Sequence, residues 1–232
     1  MDPIDPELML LACSDAGLPD NGSPGPIIRL PARPGRDELD PLLDAHAPRR
    51  VAVAGTDADL AAVLLRLLRT ERLDVELAYL PVADSPAVRA WGLPTGAAAA
   101  ALARTGKATA VPLVRDDGGG VLVGRGEVHD ITGECYCDET LVLRGRARRL
   151  VVTPGPEGIA VRAGWSGRAP DGGLRPLPAT AARGHGSARG RAVQVGGRPA
   201  TVIADGVAHP RPLPRRTWYR HTADWLLVRP HR

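Results

Sequence analysis

RRVAVAGTDADLAAVLLRLLRTERL, residues 49–73, decides how the rest of the chain is read. Val51–Ala54 is a short apolar run with two valines in four residues, the pattern of a buried strand. Gly55-Thr56-Asp57-Ala58-Asp59 then turns the chain, and Leu60–Leu68 is almost continuously apolar. Arg66, Arg69 and Arg72 close the stretch, where cations suit the negative pole of a helix. Asp57 or Asp59 is the expected cap at its start, accepting hydrogen bonds from free backbone N–H groups. Strand, tight turn and helix form the unit on which α/β proteins build phosphate sites.

Outward from this unit, the first half alternates. Leu8–Cys13 and Ile27–Leu30 read as strands, and Asp37–His46 as a short helix interrupted by Pro41. Val75–Leu80 is the next strand, Ser85 caps a helix to Trp91, and Thr95 caps another through Ala97–Arg104, ended by Gly106. This predicts an α/β half over residues 1–107, a Rossmann-like parallel sheet with helices on its faces. After Lys107 no good helix appears. Short strand candidates take over: Ala108–Arg115, Gly120–Val123, Thr140–Leu143, Leu150–Thr153, Ile159–Ala163, Ala192–Val195, Ala200–Ala204 and Trp225–Val228. Turn signals such as Asp116–Gly120 and Pro154-Gly155-Pro156 separate them, so residues 108–232 read as an all-β, sandwich-like half. Residues 165–191 are rich in Gly, Ala, Arg and Pro and are expected to form a mobile loop.

Composition excludes several classes of function. Of the 30 basic residues only Lys107 is a lysine, and there is no phenylalanine, so the core must be built from Leu, Val and Ala. This bias fits a GC-rich genome and carries no functional signal. The net charge of +4 is spread along the chain, and the basic stretches Arg144–Arg149 and Arg183–Arg191 lack the aromatics that a nucleic-acid partner would need. Three cysteines make no disulfide framework and suggest a reducing, cytoplasmic setting. The N-terminal stretch reads as neither a signal peptide nor a membrane span.

Three places carry a resemblance. VAVAGTDADL stands where the diacylglycerol-kinase-type lipid kinases have a strand leading into G-G-D-G-T and a helical leucine. Gly55, Asp57 and Leu60 match, while Thr56, Ala58 and Asp59 replace two glycines and the threonine. LPVADSPAVRAWGLP matches that family's P-L-G-T-G-N-D-F-A-R-x-L-G-L-P segment at Pro81, Arg89, Gly92, Leu93 and Pro94, one residue short and without the G-T-G-N-D core. IADGVAHP and WLLVRP match its D-G-E strand and closing strand at Asp205, Gly206 and Pro230, with Val207 in place of the glutamate. The sequence thus resembles the diacylglycerol-kinase-type lipid kinases, which share their fold with NAD kinases. The resemblance implies a two-domain fold with an interdomain cleft, and Gly55–Asp59 as its nucleotide loop.

The departures bear on what that cleft does. Thr56 and Ala58 add Cβ atoms where a backbone should approach phosphate. Asp57 and Asp59 add negative charge facing a polyanion; unit charges 4 Å apart at an effective dielectric near 20 repel by about 4 kcal/mol. Valine at 207 cannot accept the proton that the family's glutamate is implied to handle. The losses fall on every part of the site. They point to a degenerate member without phosphoryl transfer, a lipid- or small-molecule-binding or regulatory protein, cytoplasmic or peripheral at a membrane. The alternative is a divergent ATP-dependent lipid kinase in which Asp57, Asp59 and Asp205 serve Mg²⁺ and ATP, with Asp205 as the catalytic carboxylate. A third reading is a partner-binding protein that uses an exposed sheet edge.

Outside the motifs, His129, Cys135 and Cys137 could hold a soft metal, but the spacing equally gives a strand with Cys135, Cys137 and Glu139 on one side. His185, His209, His221 and His231 are dispersed, and no G-x-S-x-G presents a nucleophilic serine. Trp218, Tyr219 and Trp225 read as core or edge packing.

Overall fold

The computed structural model of the chain describes residues 8–14, 27–164 and 186–230. In the first half, strands β1 (Leu8–Cys13), β2 (Ile27–Leu30), β3 (Arg50–Gly55) and β4 (Glu76–Pro81) pair in parallel in the order β4-β3-β1-β2. Every residue of β3 is buried, as a parallel strand covered on both faces requires. Val51 and Val53 face a core shared with helices α1 (Arg36–His46) and α2 (Asp57–Arg69), and Ala52 and Ala54 face α4 (Gly96–Thr105). α2 buries Leu60, Val63, Leu64 and Leu67, one stripe at helical spacing. α4 presents Ala99, Ala100 and Ala103, side chains small enough to bring the helix close to the sheet.

Two local expectations need correction. α1 is not interrupted at Pro41 but runs through it. Proline removes one helical hydrogen bond, and burial of Leu39 and Leu43 together with the Asp40 carboxylate held by Arg66 of α2 keeps the helix in place. The cap of α2 is neither aspartate but Thr56, with Asp59 closing a reciprocal box. Ser85 caps α3 (Pro86–Trp91) as expected, accepting from the Val88 N–H at 3.2 Å.

In the second half, β5 (Ala108–Asp116), β6 (Val121–Leu122), β7 (Gly126–Cys137), β8 (Thr140–Gly155), β9 (Gly158–Gly164), β10 (Ser187–Gly190), β11 (Ala192–Ala204), β12 (Val207–Ala208) and β13 (Leu213–Val228) pair antiparallel with one another. β13 also runs parallel to β4, Leu227 opposite Leu77, so the thirteen strands among the described residues form one mixed sheet. Several of the strands are longer than expected. Thr140–Leu143 and Leu150–Thr153 are the ends of β8, and Ala192–Val195 and Ala200–Ala204 are joined in β11 across an irregular register between Gly196 and Ala200. Arg144, Arg146 and Arg149, between the two expected strands of β8, pair along β7 with Arg144 and Arg146 exposed, so cross-strand hydrogen bonding sustains the strand where hydrophobicity does not. β7 begins eight residues before the Glu134 at which the sequence suggests a strand, and it ends at Cys137. Glu139 therefore lies in the following turn, where Asp138 has a φ of 48°. The expected mobile loop falls mostly on residues 165–185, outside the described residues, as does His185. Its end is ordered as β10 against β9, where Ser187 and Ala188 are small enough to lie on the neighbouring strand.

The chain passes between two cores more than once. Val111 and Leu113 of β5 and Trp225 and Leu227 of β13 lie in the core of the parallel strands, where Trp91 meets Trp225 edge to face at 5.8 Å. Val114, Val128, Leu150, Val161, Val193 and Trp218, from six strands, fill the second core, so the antiparallel part curls around its own interior.

Candidate functional site

The end of β3 delivers Gly55 and Thr56 to the start of α2. Thr56 adopts φ −92° and ψ 170°, ordinary extended backbone with no demand for glycine. Its N–H and hydroxyl each donate to Asp59 Oδ2 at 2.8 Å, and the Arg33 N–H donates to Asp59 Oδ1 at 2.7 Å. A Cβ on Gly55 would lie 2.6 Å from Asp59 Oδ2, so glycine at 55 makes room for this carboxylate. Asp59 is thus the buried reciprocal partner of the Thr56 cap, 1% exposed. Ala58, in the first turn, brings no donor or acceptor from its side chain.

Asp57 points the other way, at the start of α3. Its Oδ1 accepts from the Ser85 hydroxyl at 2.6 Å and the Tyr79 hydroxyl at 2.9 Å, and its Oδ2 accepts from the Ala87 N–H at 3.0 Å. A carboxylate on free N–H groups at a helix start is the favourable arrangement. Burial, and then the negative charge of Asp57, push the Tyr79 phenol well above its ordinary pKa.

Asp205 arrives from the tight Asp205-Gly206 turn between β11 and β12, with φ of 48° and 85° at its two residues. Its carboxylate accepts from the Val123 N–H at 3.0 Å, the Gly124 N–H at 2.8 Å and the Arg125 N–H at 2.9 Å. Burial pushes its pKa up to about 7; the three N–H groups oppose that shift and the charge of Asp57 adds to it. Gly124 stands between the two aspartates. A Cβ there would lie 2.6 Å from Asp57 Oδ2, 2.8 Å from the Ala87 nitrogen and 3.2 Å from Asp205 Oδ1. Gly124 is the residue that sequence reasoning missed; its signal is the G-x-G of Gly124-Arg125-Gly126 directly after a strand.

The structure therefore brings Asp57 and Asp205 together and turns Gly55, Thr56 and Asp59 into a helix cap. A cavity of about 220 Å³ opens beside them, lined among others by Thr56, Tyr79, Ser85 and Arg125. It is smaller than the usual small-ligand range of about 300–1,000 Å³. Whether these residues suit a Mg²⁺-nucleotide can be tested on their hydrogen bonds. Asp57 and Asp205 each already accept three, and Asp59 faces inward. No group of three or more metal-ligating side chains is gathered among the described residues. As placed, Asp57 and Asp205 are engaged by protein donors rather than turned free into the cavity.

The second cluster is not brought together either. Cys135 and Cys137 are buried in the second core, their thiols raised by burial, Cys135 to about 12. His129 instead meets Glu127 at 2.6 Å. Glu127, 5% exposed, also accepts from Arg149 and pairs with Arg125. Trp218 and Trp225 are core residues and Tyr219 is half-buried, as their composition suggests. No helix among the described residues is long and apolar enough to cross a membrane.

No protein-family model matches the sequence, and no curated protein matches it. Among solved structures, the chain is similar to an NAD kinase from Archaeoglobus fulgidus, determined in complex with ATP. The likeness covers 96% of this chain and 93% of that one, with a TM-score of 0.54 and 10% sequence identity. At that identity the likeness speaks for the fold, and the fold is that of an NAD kinase.

Proposed function

We propose that this chain is a degenerate relative of the diacylglycerol-kinase-type lipid kinases that does not transfer phosphoryl groups and acts as a small-molecule- or lipid-binding or regulatory protein. The proposal keeps residue 107 as the point where the α/β half gives way to the all-β half, with β5 and β13 shared between them, and includes a location in the cytoplasm or at a membrane surface. The observation that carries it is the engagement of both candidate metal carboxylates. Asp57 is taken up by Tyr79, Ser85 and Ala87, and Asp205 by the backbone of 123–125. A carboxylate that already accepts three protein hydrogen bonds would have to surrender some of them to bind Mg²⁺, leaving buried donors without partners at about 1–3 kcal/mol each. Val207, half-buried, adds no acid or base beside them.

The test is calorimetric titration with MgATP, run beside a diacylglycerol phosphorylation assay. The expected result is no saturable heat and no product. Tight, Mg²⁺-dependent binding that Asp57→Asn abolishes, together with phosphorylated lipid, would establish the divergent kinase instead.

A further inference from the structure

The halves differ in charge. Residues 1–107 contain 11 Lys or Arg and 15 Asp or Glu, whereas residues 108–232 contain 19 Arg and 11 Asp or Glu. Part of the positive excess borders a trough. Two cavities, of about 370 and 670 Å³, share Thr153, Ala160 and Arg189 and so run together over β8, β9 and β10. The strand register fixes what stands along it. Arg149 pairs with Gly164, Arg162 with Ser187, and Ala160 with Arg189. Arg149, Arg162 and Arg189 therefore lie on one face of three adjacent strands, each diagonal to the next, a spacing of about 7–8 Å that long side chains span. Residues between them, such as Ala160 and Gly164, leave the floor open.

The charges do not cancel. Arg149 is held by Glu127 and Arg189 by Glu157. Among the described residues no carboxylate pairs with Arg162, or with Arg229 at the other end of the trough. That other end is of mixed character: Ala90 and Trp91 of α3 and Pro154 and Pro156 give it apolar walls, and Glu157 and Thr153 also line it.

We propose that this trough binds a phosphomonoester carrying a compact apolar portion. The Arg149–Arg162–Arg189 diagonal receives the phosphate, with Arg162 as the uncompensated charge, and the apolar portion lies over Ala160 towards Trp91. Guanidinium groups present forked donors that match phosphate oxygens. On the diagonal three guanidinium groups stand against two carboxylates, so one positive charge, that of Arg162, is left to meet the phosphate. The trough shares no lining residue with the cavity beside Asp57 and Asp205, so the inference stands whether or not that cleft transfers phosphoryl groups.

The experiment is calorimetric titration of the whole chain with 1-naphthyl phosphate, and separately with its halves, 1-naphthol and inorganic phosphate. The expected result is one site per chain for naphthyl phosphate, with each half at least tenfold weaker. Arg162→Ala is expected to weaken binding about tenfold, the usual scale for losing a charged hydrogen bond. Ala160→Leu, which fills the floor without changing charge, is expected to abolish it. Arg215→Ala, an exposed arginine off the trough, serves as the control. Competition by vesicles of phosphatidylcholine containing phosphatidic acid, but not by pure phosphatidylcholine vesicles, identifies a lipid headgroup as the source of the phosphate; no competition identifies a free metabolite. Binding that survives both Arg162→Ala and Ala160→Leu, equal binding of 1-naphthol, or no binding of naphthyl phosphate overturns the inference.

Discussion

Asp205 shows how a single residue sets a pH dependence. Its folded pKa of about 7 lies above the ordinary 3.8, because burial penalises the carboxylate more than three N–H groups reward it. The folded state therefore holds a proton that the unfolded state has released. The stability this gives is fully present below about pH 3.8 and is lost as the pH rises through about 7. Asp57, across Gly124, faces the same carboxylate, and Arg125 donates to it through its backbone, so Asp205 does not titrate in isolation. Between pH 5.5 and 8, about 1.5 pH units fall within that window, worth about 2 kcal/mol. In a chain of this size that is about 4–8 °C in melting temperature. Thermal melts should show the native chain losing this much towards pH 8 while Asp205→Asn stays flat. An equal slope in both would mean that another group carries the dependence.

At the scale of elements, the sheet and helices are tied at one buried arginine. Arg50, 6% exposed in β3, donates to Glu76 of β4 at 2.6 Å and to the carbonyls of Ala103, Arg104 and Gly106 at 2.8, 3.2 and 2.8 Å. It neutralises the C-terminal end of α4, where the helix is negative, and fixes that helix against the two strands. Removing one partner of a buried pair costs about 3–5 kcal/mol, so Arg50→Ala should lower stability by that much in urea unfolding. Paired replacement of Arg50 and Glu76 by Met and Leu should recover a large part of it. This tie also marks what a sequence makes legible. The strand–turn–helix at 50–69, the Ser85 cap and the cysteines sharing a face depend on neighbours a few residues apart, and periodicity or capping chemistry reveals them. The partners of Arg50 lie 26 to 56 residues away, and those of Asp205 some 80. Nothing local distinguishes Asp59, which closes the box with the Thr56 cap, from Asp57, which reaches a different helix. The long strands escaped for the same reason: the arginines of β8 are held by β7, not by their own side-chain pattern.

The described residues form one sheet with three apolar cores, and β13 reaches all three, Val228 entering the one beneath α4. Trp218 fills the second core, while Trp225 and Leu227 complete the first and Leu226 and Leu227 pair with β4. A fragment of residues 1–107 would therefore lack six walls of its own interior, Val111, Leu113, Val121, Val123, Trp225 and Leu227. Circular dichroism and amide exchange of that fragment should show no protected sheet, and addition of residues 108–232 should restore it; a protected, cooperatively melting fragment would show that the parallel strands suffice alone. The same strand has a consequence during synthesis. The strands around Arg49–Leu73 leave the ribosome early, yet their core stays open until residue 228 has been made. About 150 residues of translation, some 10–30 s at ordinary rates, separate the emergence of β4 from its partner. Over that interval the nascent chain exposes Val51, Leu64 and Leu77 without their cover, so its yield in a cell should depend on chaperones that bind apolar segments more than its folded stability suggests.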